Sequence, residues 1–167
     1  HPFEDGNGRI GRAVAEKALS QGIGRPVLLS LSSAIESERD AYYDALEAAQ
    51  RSLEVTEWVG YFVGTVLRAA RESEAKIGFI VAKSKFYDRH RSNLSPRQSK
   101  VIARMFAAGP EGFAGGMNAR KYVSLTKVSK ATATRDLQRL VEIGALASSG
   151  GGGRSTSYEL VLDVAEW

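Results

Sequence analysis

Twelve residues, His1-Pro2-Phe3-Glu4-Asp5-Gly6-Asn7-Gly8-Arg9-Ile10-Gly11-Arg12, gather a base, a carboxylate, a glycine-flanked turn and two guanidiniums. Asp5-Gly6-Asn7-Gly8 reads as a turn, because two glycines and an asparagine favour positive φ and close backbone approach. Ile10, Val14 and Ala18 then fall on one stripe of a helix over residues 10–19. The backbone N–H groups of residues 6–9 therefore stand at a helix N-terminus, where the helix dipole favours an anion. Arg9 and Arg12 are neighbours on one helix face and reach the same phosphate chain. Asp5 beside that anion points to a cation such as Mg²⁺. His1, just before the turn, is placed to take a proton from an incoming hydroxyl. The chemistry supported is nucleotide-phosphate binding with a general base alongside, that is, group transfer. For any one of these residues, an Asx turn capping a helix with solvated arginines explains as much; the full set at fixed spacing carries the chemical reading.

The elements that must position this set follow along the chain. Gln21-Gly22-Ile23-Gly24-Arg25-Pro26 ends the first helix, with glycine available for a C-cap and proline blocking continuation. Ser33-x-x-Glu36 predicts a capping box opening a second helix over residues 34–51, with Ile35, Tyr42, Leu46 and Ala49 on its apolar stripe. Thr56 is the expected N-cap of a third helix whose broad apolar face holds Trp58, Val59, Phe62, Val63, Val66 and Leu67. The helical pattern runs on through Ile77, Ile80 and Val81 to about residue 89, although Gly60, Gly64 and Gly78 weaken it. Residues 83–94 then form a basic helical connector, either a solvated helix face or a nucleic-acid contact. His90 lies there with no partner pattern.

Past residue 94 the signals change. Ser95-Pro96-Arg97-Gln98 combines a capping box with proline at the first helical position. Val101, Ile102, Met105 and Phe106 supply the apolar stripe, and Gly109-Pro110 stops the helix. Asn118 caps a short helix over residues 119–125, and Ser129 caps another over residues 130–143, ending at Gly144. Two short helices and a longer one have helix-turn-helix spacing. Two strand-like runs around the glycines at 150–153 predict a β-hairpin. At about 100° per residue, Ala133, Leu137, Leu140 and Val141 share the buried face of the last helix. Thr132, Arg135, Gln138 and Arg139 share the opposite one, where hydroxyls, an amide and guanidiniums suit phosphates and base edges. Arg154 in the hairpin is placed to follow a nucleic-acid backbone or enter a minor groove. The same face also suits plain solvation or another protein surface.

Composition sets the frame. With 167 residues, 43% hydrophobic and 25% charged, the chain has the make-up of a globular protein of one domain or two small ones. It has no cysteine, which excludes disulfides and thiolate metal sites and fits a reducing compartment. No apolar run approaches transmembrane length and no signal peptide is visible, so the expected location is cytoplasmic, with no membrane partner. Charge is uneven: residues 1–82 hold 9 Lys/Arg against 12 Asp/Glu, residues 83–94 hold 4 against 1, and residues 95–167 hold 10 against 6. The turn to basic character at Lys83 sets the expected boundaries: residues 1–82, a connector over 83–94, and residues 95–167.

The string His1-Pro2-Phe3-x-Asp5-Gly6-Asn7-Gly8-Arg9-x-x-Arg12 resembles, without departure, the active-site signature of the Fic (Fido) family, H-P-F-x-[DE]-G-N-G-R-x-x-R. The segment from Ser33-Ala34-Ile35 to Tyr42-Tyr43-x-Ala45-Leu46 is similar to the helix that follows that signature. The string Val128-Ser129-x-Ala131-Thr132-Ala133-Thr134-Arg135-Asp136-Leu137 resembles the third helix of winged-helix modules appended to bacterial Fic proteins. The resemblance implies a mainly α fold: the C-terminal part of a Fic helical bundle, then a winged helix-turn-helix domain with a small hairpin. It implies transfer of AMP from ATP to a Ser, Thr or Tyr hydroxyl of a target protein, releasing pyrophosphate. His1 would be the base and Phe3 a buried anchor. Asp5 would hold Mg²⁺; Gly6, Asn7 and Gly8 would form the anion hole, and Arg9 and Arg12 would grip the β- and γ-phosphates. Some relatives transfer other phosphate-containing groups or remove AMP, and the signature does not separate these. Tyr42 or Tyr43 either stacks on adenine or is core, with core favoured by helical spacing.

In that family several helices and a substrate-docking hairpin precede the signature, and they have no counterpart in this sequence. The chain is therefore expected to be the C-terminal part of a longer protein, lacking helices that activity needs. The family's inhibitory helix, [ST]-x-x-x-E-[GN], also has no match here. The alternative function is a DNA-binding transcriptional regulator in which the Fic portion is inactive or sensory.

Overall fold

A computed structural model describes residues 2–24, 30–51, 53–149 and 156–163. The fold is mainly helical with one small antiparallel sheet: α1 (Asn7–Ile23), α2 (Leu31–Ser37), α3 (Arg39–Ala49), α4 (Thr56–His90), a 3₁₀ turn (Arg91–Asn93), α5 (Pro96–Phe106), α6 (Ala119–Thr126), α7 (Lys130–Glu142), β1 (Leu146–Ser149) and β2 (Ser157–Leu160). Among the described residues no helix is long and apolar enough to cross a membrane. The chain divides into two compact units, residues 1–74 and 75–167, and the division falls inside α4.

The first unit centres on α2. Leu31 and Ala34 of that helix and Ala69 of α4 are buried, with Ala15 and Leu19 of α1 and Phe62 and Val66 of α4 packed around them. The sequence predicts one helix over residues 34–51 opened by Ser33. Instead α2 starts three residues earlier and breaks at Glu38 (φ −132°, ψ 46°), where α3 begins anew. Burial explains the earlier start. Including Leu31 in the helix places it, Ala34 and Ile35 in the interior. Burying a leucine is worth about 2 kcal/mol, against about 1 kcal/mol for a Ser cap. The Leu31 N–H is satisfied by the Glu16 carboxylate of α1 at 3.2 Å instead. At the break, the Glu38 carboxylate pairs with Arg68 of α4 at 2.8 Å. Thr56, the expected cap of α4, is instead its first residue, and its N–H and hydroxyl both donate to the Glu54 carboxylate.

The second unit has the larger core. Phe86, Val101, Ile102, Met105, Phe106, Met117, Tyr122, Leu137, Leu140 and Leu146 are buried together. The capping box before α5 forms as the sequence predicts: Gln98 N–H donates to Ser95 Oγ and Ser95 N–H to Gln98 Oε1. Asn118 and Ser129 cap α6 and α7 through Lys121 N–H and Thr132 N–H. Helix α6 packs on α5 and α7, and α7 packs on β1. The Tyr122 hydroxyl donates to Asp136 Oδ2 at 2.8 Å, and Arg97 Nε approaches the same oxygen at 3.3 Å. Burial first, then the Asp136 carboxylate, pushes the Tyr122 hydroxyl pKa up. Gln98, itself buried, donates to the Asp136 carbonyl at 3.2 Å. One residue of α7 thus ties α5 to α6.

Strands β1 and β2 pair antiparallel with Leu146 opposite Leu160 and Ser149 opposite Ser157. Met117 adds a bridge to Tyr158, with N–H to carbonyl distances of 2.8 and 2.7 Å. Gly116 makes this approach possible: at φ 61° an added Cβ would stand 2.9 Å from Ser157 Cβ and 3.1 Å from the Tyr158 carbonyl oxygen. Segment 83–94, read from its charge as a connector, also carries an aromatic face. Phe86 packs edge-on to Phe106 at 5.1 Å, Tyr87 lies 5.4 Å from Phe106, and His90 is buried 4.7 Å from Phe86. Burial and the neighbouring Arg89 lower the His90 pKa, and Asp163 opposes them.

A candidate phosphate site at the N-terminus of helix α1

The turn before α1 is built by local bonds. Gly6 sits at the N-cap in the left-handed region, at φ 80° and ψ 2°, and its carbonyl accepts the first helical bond from Ile10 N–H at 2.9 Å. Asn7 clamps the preceding loop: Phe3 N–H donates to its Oδ1 at 3.1 Å, and its Nδ2 donates to the Phe3 carbonyl at 2.6 Å. The Asn7 amide thus holds the loop rather than standing free for an anion. The Gly6 N–H is likewise engaged, donating to Asp5 Oδ1 at 2.5 Å. Helix geometry leaves the N–H groups of Asn7, Gly8 and Arg9 without intrahelical acceptors. Three donors therefore remain of the four that the sequence places there.

Both guanidiniums fold back onto this turn. A Cβ built on Gly6 would lie 3.7 Å from Arg9 Nη2, and one built on Gly8 would lie 3.3 Å from Arg12 Nη1. Arg9 Nη2 also pairs with Asp5 Oδ2 at 3.0 Å, and both side chains are open to solvent. The fold thus brings Asp5, Gly6, Asn7, Gly8, Arg9 and Arg12 together. His1 lies outside the described residues. Asp5 is a single carboxylate, and among the described residues no group of three or more His, Asp or Glu is placed to hold a metal. One carboxylate suits Mg²⁺ that arrives on a polyphosphate, since such an ion keeps water and phosphate oxygens as its other ligands.

Two residues near the turn escaped sequence reasoning. Arg12 Nε donates to Ser32 Oγ at 3.1 Å, and one turn further along α1 Glu16 holds the start of α2. A contact spanning twenty positions leaves no local pattern. Phe3, expected as a buried anchor, is 51% exposed. It lines an open apolar cavity of about 570 Å³ with Ile10, Val14, Tyr42, Trp58 and Phe62. Tyr42 is half-buried in an aromatic cluster, 5.7 Å from Trp58, whereas Tyr43 is exposed beneath the Arg39 guanidinium.

On α7, Ala133, Leu137 and Leu140 are buried as the projection predicts, but Val141 is 37% exposed. It borders an open groove with Gln138, Ser148 and Tyr158, so β1 and β2 leave it partly uncovered. Arg135, Gln138 and Arg139 are exposed, while Thr132 is half-buried with its hydroxyl 3.0 Å from Ser129 Oγ. Arg139 pairs with Glu142 at 3.1 Å, and the Arg135 side chain makes no hydrogen bond or ion pair among the described residues. Arg154 and the glycines at 150–153 lie outside the described residues. Neither the protein-family models nor the curated proteins compared with this chain match it.

Proposed function

We propose that the chain carries the phosphate-binding and catalytic segment of a Fic-type protein adenylyltransferase, joined to a winged helix-turn-helix unit. The observation carrying this reading is the complete signature combined with its geometry. Two guanidiniums turn back over a glycine turn whose three backbone N–H groups lack helical acceptors. Donors aimed at one point before substrate arrives are what charge stabilisation in phosphoryl transfer requires.

In the proposed reaction the hydroxyl oxygen of a target Ser, Thr or Tyr bonds to the α-phosphorus of ATP. The bond from that phosphorus to the bridging oxygen of the β-phosphate breaks, and pyrophosphate leaves. His1 takes the hydroxyl proton. Arg9, Arg12 and the free N–H groups take the charge of the β- and γ-phosphates, and Asp5 would hold the Mg²⁺ that the nucleotide brings, which would supply further charge neutralisation. Helices that precede the signature in the resembled family align the target there, so turnover is expected of a chain that carries them. In such a chain with Mg²⁺, label from the α-phosphate of ATP moves to protein hydroxyls, and His1→Ala abolishes the transfer. Transfer of the γ-phosphate instead would assign a kinase, and retained AMP transfer in the variant would remove His1 from its role.

A second reading rests on a different observation: α7 presents Arg135, Gln138 and Arg139 to solvent above a core built from α5, α6 and the hairpin. That arrangement suits insertion of α7 into a major groove, as in a DNA-binding regulator with a sensory or inactive Fic portion. A regulatory protein partner on the same face is the competing outcome.

A further inference from the structure

We propose that Ser32 is the positioning residue of the phosphate clamp, acting through Arg12; this rests on the phosphate reading of the α1 N-terminus. Arg12, half-buried, projects from the first turns of α1 on a long, flexible side chain. Its Nε donates to Ser32 Oγ at 3.1 Å, and that bond fixes the plane of the guanidinium about its stem. The same plane carries Nη1 over Gly8, 3.3 Å from where a Cβ would stand. With Nε occupied by a neutral acceptor, the Nη groups remain for an anion above the helix N-terminus. A carboxylate at this position would neutralise the guanidinium; a hydroxyl orients it without cancelling its charge.

The platform under Ser32 is firm. Ser32 is the second residue of α2, whose neighbours Leu31 and Ala34 are fully buried. The Leu31 N–H is held by Glu16, four residues after Arg12 and therefore on the same face of α1. Two bonds one turn apart, Arg12 to Ser32 and Glu16 to Leu31, join α1 to the start of α2. Ser32 itself is exposed, so its hydroxyl is not committed to the core. The ligand class follows from what the clamp faces: a linear di- or triphosphate, alone or as part of a nucleotide.

Titration of the 167-residue protein with inorganic tripolyphosphate, at low ionic strength without Mg²⁺, tests the proposal through a double-mutant cycle. Ser32→Ala is expected to weaken binding about tenfold, the loss of one hydrogen bond's worth of ordering. Its melting temperature should fall by no more than about 2–4 °C, the worth of one hydrogen bond, and Ser32→Thr should restore affinity. In an Arg12→Ala background the same Ser32→Ala change should add nothing, because Ser32 acts only through Arg12. By NMR, the Arg12 Nε–H should exchange slowly in the wild type and Ser32→Thr, and fast in Ser32→Ala. Equal losses in both backgrounds would overturn the positioning role while leaving the phosphate site standing. Wild-type affinity in Ser32→Ala would do the same. Absence of binding by the wild type, or undiminished binding by Arg12→Ala, would overturn the phosphate reading and this proposal with it.

Discussion

Gly8→Ala separates the needs of the helix from those of the site. Gly8 is the second residue of α1 and, unlike Gly6, does not lie in the left-handed region, so alanine fits its backbone. Alanine in place of a helical glycine is stabilising by about 0.5 kcal/mol or slightly more. In a chain of this size that raises the melting temperature by roughly 1–2 °C. The added methyl, however, would stand 3.3 Å from Arg12 Nη1, closer than ordinary contact, and the end of a flexible side chain gives way first. Arg12 would shift off the turn, and the methyl would occupy the approach to the three free N–H groups. Losing a charge-assisted hydrogen bond costs about 1.5–3 kcal/mol, or roughly 10- to 100-fold in affinity. Calorimetric titration with ATP, paired with a thermal melt, reads both quantities on one sample. A variant that melts higher and binds ATP as the wild type does would refute the argument that the glycine turn is the anion seat.

Other perturbations follow from the second unit. Gly116→Ala combines a left-handed backbone with a collision against β2, and should cost about 3 kcal/mol, seen as a lower urea midpoint with an unchanged slope. Tyr122→Phe removes one donor from Asp136 while Arg97 remains, so the same measurement should show a loss of about 1 kcal/mol. His90 has a folded-state pKa below its ordinary 6.5. Its neutral form therefore contributes stability that is present above the ordinary value and is lost as pH falls through the folded one. The urea midpoint of the wild type should drop over that interval, and a flatter profile is expected of His90→Phe. For α7, Arg135→Ala with Arg139→Ala should weaken duplex binding and reduce the salt slope by about 2 units. The exposed Glu142 pair on Arg139 is too weak to prevent a phosphate contact. Undiminished binding would discard this reading face.

What was legible in the sequence was whatever a side chain does to its own backbone. Ser95 with Gln98, Asn118 and Ser129 each cap the helix they precede, because those bonds close within three residues. The turn expected at residues 5–8 was legible only in part: Gly6 takes the left-handed conformation, but α1 starts at Asn7, three residues before the helix expected from Ile10, so Asn7 and Gly8 are already helical. The break at Glu38 was not legible, since it follows from burying Leu31 against α1 and α4 and from an ion pair thirty residues away. Asn7 shows a subtler limit. Its identity marked the turn, but only the geometry shows its amide spent on holding Phe3. The exposure of Phe3 and Val141 was likewise hidden, because periodicity assigns a face without stating what covers it.

The Asp5–Arg9 pair has a consequence for how ligands enter. In the free protein each proposed ligand-binding group neutralises the other. A phosphate that draws Arg9 away releases Asp5 for a cation, and a cation that takes Asp5 releases Arg9 for phosphate. The opening step is then shared, so the second ligand does not repeat it. Because an exposed pair is worth only about 0–1 kcal/mol, the mutual enhancement should not exceed roughly fivefold. By linkage it should be the same factor read from either side: Mg²⁺ on polyphosphate affinity, or polyphosphate on Mg²⁺ affinity.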